Sequence, residues 1–128
     1  MVDVIELNRL YSQKRELEAE IAAIKEKIAR LKRTKEEIKE VKSDVKELKK
    51  AAKNEQDARR EVWSGDQHNS YEQHLEENLD PDYHNHINRI ELLRDNIGAE
   101  ISRLNMELLS TTSSYDWVCI KIAAATLL

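Results

Sequence analysis

Leu10, Leu17, Ile24, Leu31, Ile38, Val45 and Ala52 recur at every seventh residue, and this repeat constrains the first half of the chain more than any other feature. Leu7, Ile21 and Ile28 fill the companion seam of the same heptad. Apolar residues on two such seams define a coiled-coil helix, because a 3.5-residue period keeps one stripe facing a partner. Lys14 and Lys35 occupy the companion seam where an apolar residue would pack best. Beyond them the stripe is expected to move over to Val41 and Leu48, as it does when the period relaxes toward 3.6. The pattern predicts one helix over about 4–60. Such a helix is about 80 Å long and cannot bury its own stripe, so it needs a second helix.

The sequence supplies that second helix. Ile87, Arg94, Ile101 and Leu108 lie seven apart, with Ile90, Ile97 and Leu104 on the paired seam. A second long helix is expected over about 81–113, with Asp80 as its N-cap and Pro81 at its first position. The stretch VWSGDQHN interrupts the helical pattern between the two arms. Trp63, Ser64 and Gly65 make it the best candidate bend, over 62–66. Ser64 accepts backbone N–H groups, Gly65 tolerates positive φ, and the Trp63 ring can shield the end of the hairpin. A short helix over about 67–79 is expected before the second arm. The fold class read from this is all-α, an antiparallel helical hairpin over 1–113.

Residues 114–128 change style. Charge nearly vanishes and the heptads of the second arm stop. Two readings are open: an apolar tail that caps the open end of the hairpin or binds a partner, or a stretch foreign to the natural protein.

Composition narrows the alternatives. There are 2 Gly, 1 Pro and no Phe in 128 residues, with 36% charged, so the turns of a sheet protein and the aromatic core of an ordinary globule are both missing. Residues 1–62 carry 17 Lys+Arg against 14 Asp+Glu, and the remainder carries 4 against 11. The two halves attract each other, which favours pairing within the chain. Basic residues alternate with acids instead of forming one stripe, which argues against nucleic-acid binding. Nowhere is there a run of about 18 apolar residues, so no membrane span is expected. The start MVDVIELNRL lacks the basic and apolar regions of a Sec-type signal peptide. Cys119 is the single cysteine, which leaves no intrachain disulfide.

Candidate chemistry is sparse. His68, His74, His84 and His86 fall within twenty residues. Two of them are two apart, which on a helix turns them about 200° from each other and away from a common ion. Asp80 and Asp82 bracket a proline at a helix start, where the dipole favours anions, and that structural role accounts for them. No phosphate loop, nucleophile elbow or Ser/His/Asp set is present. No catalytic residue, metal or cofactor is assigned, and a non-enzymatic protein is expected. Leu92, Leu93, Met106 and Leu109 lie off the seams of the second arm and are the expected interaction face, suited to docking further helices.

Trp63-Ser64-Gly65 between two long helical arms resembles the WxG hairpin proteins handled by type VII (Esx) secretion systems. The first arm, beginning LNRLYSQKRELEAEI, and the second, INRIELLRDNIGAEISRL, are most similar to small accessory proteins encoded beside LXG-domain polymorphic toxins. The likeness covers roughly 3–110. It implies a chaperone that binds the helical N-terminal LXG domain of a toxin and keeps it competent for export, with another small helical accessory protein as a further partner. Secreted WxG partners usually carry a YxxxD or YxxxE signal after the second helix. Here Tyr71, Tyr83 and Tyr115 are followed at that distance by Leu75, Ile87 and Cys119. The protein is therefore expected either to stay in the cytoplasm or to leave through the type VII pathway on a partner's signal. A structural coiled-coil homodimer or spacer with no export role is the alternative.

Overall fold

The computed structural model describes residues 3–59 and 80–127. They form two α-helices, α1 (Val4–Arg59) and α2 (Asp80–Leu127). The architecture is an all-α, two-helix antiparallel hairpin. The expected bend at Trp63, Ser64 and Gly65 and the expected short helix over 67–79 lie outside the described residues.

Asp3 caps α1. Its carboxylate accepts the Ile5 N–H at 3.1 Å, and its carbonyl accepts the Leu7 N–H at 3.0 Å. One of the orphan N–H donors of the first turn is thereby satisfied, and Glu6 places a second negative charge at the positive end of the helix dipole. At α2, Asp80 and Asp82 put two carboxylates into the first turn. The described part of the helix opens at Asp80, the residue expected to stand at its N-terminal end.

The chain divides into two compact units, one made of Met1–Arg33 with Gly98–Leu128, the other of Thr34–Ile97. In the first, Ile24, Ile28 and Leu104 form the core, and Leu31, Ile101 and Leu108 pack against it. Leu104 is only 2% exposed. Its antiparallel sense follows from two contacts: Ile24 and Ile28 meet Leu104, while Glu18, earlier on α1, meets Tyr115, later on α2. The α2 seam of this unit continues as Tyr115, Val118, Ile122 and Ala125, alternating by three and four. Val118 and Ile122 are buried.

That continuation departs from the expected end of the second helix near residue 113. The helix runs on to Leu127. The heptads do not stop at 114. They lose their charged flanks while keeping their apolar seam, and a seam that meets a partner helix is enough to hold the helix together.

In the second unit Lys42 meets Glu91, and Lys49, later on α1, meets Asp80, earlier on α2; here too the pair is antiparallel. Ile97 is buried, with Ile38, Val45, Ala52, Ile87 and Ile90 half-buried along the seam. The expected move of the stripe to Val41 and Leu48 does not occur. Both are exposed, Leu48 by 70%, and the seam stays in strict heptad register through Lys35, Lys42 and Lys49, all half-buried. At Lys42 and Lys49 the aliphatic stem can lie along the apolar stripe while the ammonium reaches Glu91 and Asp80 at the edge.

Candidate interaction surface

Polar contacts mark the edges of the seam in each unit. Lys42 Nζ donates to Glu91 Oε1 at 2.7 Å. This hydrogen bond, reinforced by the charges of Lys42, Lys46 and Arg94, holds the Glu91 carboxyl below its ordinary value. Lys49 Nζ stands 3.8 Å from Asp80 Oδ1 and 4.3 Å above the centre of the Tyr83 ring, so one ammonium serves a carboxylate and a π-face together. Tyr83 meets His84 edge to face at 5.4 Å between ring centres.

In the other unit the Tyr115 hydroxyl donates to Glu18 Oε1 at 3.2 Å. Its pKa is pushed up to about 12, first by hydrogen bonding with Cys119 and then by the bond to Glu18. Both favour the neutral phenol. Arg103 bridges Glu100 and Glu107 along the outer face of α2, with Nε to Glu100 Oε2 at 3.0 Å and Nη1 to Glu107 Oε2 at 3.3 Å. A shallow groove beside Leu17 and Val118 carries Glu16 and Glu20 on one side and Ser114 and Trp117 on the other.

The residues expected to form the interaction face are all exposed. Leu92 and Leu93 lie on α2 in the Thr34–Ile97 unit, and Met106 and Leu109 lie on α2 in the other, Met106 with 73% of its surface in solvent. More apolar surface is exposed than the sequence reading assigned. In the unit of Leu104, α2 also presents Trp117 (58% exposed), Ile120 and Leu127, and the start of α1 presents Val4, Ile5 and Tyr11. In the other unit Val41 and Leu48 add to Leu92 and Leu93. Trp117 and Ile120 were legible in principle: a heptad offset by two residues from the buried seam runs through both, but the fall in charge after residue 113 masked it. Isolated exposed apolar residues are ordinary, whereas a contiguous apolar patch marks a docking surface.

His84 and His86 are exposed on α2, whereas His68 and His74 lie outside the described residues. Among the described residues no group of three or more His, Cys, Asp or Glu side chains is placed to hold a metal ion. No helix among them is long and apolar enough to cross a membrane.

Neither the curated proteins nor the solved structures contain a match to this chain. The family model described as YwqH-like matches residues 6–119, taking in nearly all of α1 and α2 as far as Cys119. A hairpin of this layout, matched over most of its length, belongs to the YwqH-like family.

Proposed function

We propose that this chain is a non-enzymatic accessory protein that binds the helical N-terminal LXG domain of a polymorphic toxin and keeps it competent for type VII export. The observation that carries the reading is the pair of large apolar side chains left in solvent on α2 in the Thr34–Ile97 unit, Leu92 and Leu93. A hairpin that buries one stripe and exposes others satisfies itself only in part, and a partner's amphipathic helices would complete the burial. The likeness of Trp63-Ser64-Gly65 and of the two arms to accessory proteins encoded beside LXG toxins supports the choice of partner. With no YxxxD or YxxxE sequence, the export signal would come from the toxin or from another small helical protein.

Co-expression with the N-terminal region of a toxin encoded next to it tests the reading. A helical complex that co-purifies, and is lost on Leu92→Glu with Leu93→Glu, is the expected result. Failure of the two chains to co-purify would refute it.

A further inference from the structure

Within the unit of Leu104, α2 carries two seams that are mainly apolar. One is the buried seam of Leu104, Leu108, Thr111, Tyr115, Val118, Ile122 and Ala125. The other is displaced by two residues and runs through Met106, Ser110, Ser113, Trp117, Ile120, Ala124 and Leu127, all of them exposed. Two residues along a helix are a rotation of about 200°, so the second seam lies on the face opposite the first. Its spacing alternates by four and three, with Ser110, Trp117 and Ala124 at heptad positions a and Met106, Ser113, Ile120 and Leu127 at positions d. The seam is about 32 Å long at 1.5 Å per residue. A helix apolar on both sides belongs in the middle of a bundle.

The flanking charges identify what covers it. Asp116 takes position g and Lys121 position e, five residues further on. In a parallel, in-register pair of helices, a g residue meets the e residue five positions later on the partner, so Asp116 of each chain would face Lys121 of the other, twice by symmetry. The remaining g-to-e′ positions over this seam pair Ser102 with Glu107, Leu109 with Ser114 and Ala123 with Leu128 in sequence, and none sets like charges together. Antiparallel pairing sets g against g′ and e against e′; the register that offers Glu107 to Lys121 also sets Asp116 against a second Asp116, a repulsion that the parallel pair lacks. The seam also ends where it should. One turn earlier, position a is Arg103, held outward by Glu100 and Glu107, and two copies of it would repel across the pair.

We infer that the outward seam from Met106 to Leu127 is a self-association surface, on which a second copy of this chain packs its own α2 in parallel and in register to give a four-helix assembly. Trp117 and Ile120 form its centre, with Lys121, whose ammonium stands 5.6 Å from the centre of the Trp117 ring, at its edge.

Sedimentation equilibrium of the full chain over a range of concentrations tests it. A monomer–dimer equilibrium is expected. Trp117→Asp with Ile120→Asp is expected to shift it to monomer while the helical circular dichroism is kept, since both side chains are exposed. Orientation is tested separately by charge exchange. Asp116→Lys or Lys121→Asp alone should weaken the dimer by roughly tenfold, and mixing the two variants, or combining the two changes in one chain, should restore it. A chain that stays monomeric at every concentration, or a dimer indifferent to the Trp117 and Ile120 changes, would overturn the inference. A dimer lost on those changes but insensitive to charge exchange would overturn the parallel register. None of these outcomes depends on toxin binding, which the co-purification experiment reads independently.

Discussion

Lys42 reaches Glu91 across the hairpin at 2.7 Å from a seam position where the heptad calls for an apolar side chain. The contact lets a coiled-coil seam tolerate a lysine. The stem covers the stripe and the ammonium is held by an acid on the opposite helix. Removing that charge leaves the stem in place and loosens only the polar half of the interaction.

The acid dependence of stability follows from this pair. Because Glu91 titrates below its ordinary 4.5 in the folded chain, its contribution is fully present above that value and is lost as the pH falls through the folded pKa. Thermal melting followed from pH 6 to pH 3 should show a smaller loss in Glu91→Gln than in the parent chain. Identical profiles would mean that the pair contributes nothing.

Alkaline pH probes the other unit. Tyr115 titrates near 12, against 10.0 for an unperturbed tyrosine, so its contribution is present below about 10 and disappears as the pH rises toward 12. Ultraviolet titration of phenolate should show one tyrosine ionising later than the rest. That late component should be missing in Tyr115→Phe.

Leu104 is the most buried of the core side chains. Leu104→Ala should cost about 2–5 kcal/mol in urea unfolding, as expected for a cavity in a close-packed seam. Leu92→Ala, at an exposed position on the same helix, should stay within about 0.5 kcal/mol of the parent chain. Equal costs would mean that the seam is not where the stability resides.

The final turns of α2 can be tested in the same way. Ile122 is buried, and Ile122→Ala should lower stability by about 2–4 kcal/mol, whereas Ile120→Ala, on the opposite face, should have little effect on the unfolding of the monomer. If residues 114–127 were an appendage without a role in the hairpin, neither change would be felt.

The N-terminal cap offers a smaller effect. Asp3→Ala should cost about 1 kcal/mol by removing the oxygen that accepts the Ile5 N–H, and Asp3→Asn should largely preserve it. Equal melting temperatures for all three chains would argue that the first turn frays regardless of its cap.

Heptad spacing alone determined that the chain is helical, that it has two long arms, and that the arms pair, because a long amphipathic stripe cannot be left in water. Leu10, Ile24 and Leu31 on one arm and Ile101, Leu104 and Leu108 on the other needed no coordinates to be assigned to the seam. Register after Lys35 was decided only by tertiary structure. A lysine is polar in a sequence, but its stem is apolar in a seam, and the distinction depends on whether an acid such as Glu91 is within reach. Tertiary structure also decided the fate of residues 114–127. Their scarcity of charge looks like the end of a helix when the arm is read alone, yet Val118 and Ile122 find a partner helix while Trp117 and Ile120 are turned to the outside. Which face of a helix is covered depends on its neighbours, and a one-dimensional pattern gives the angle between two seams without saying which of them is already occupied.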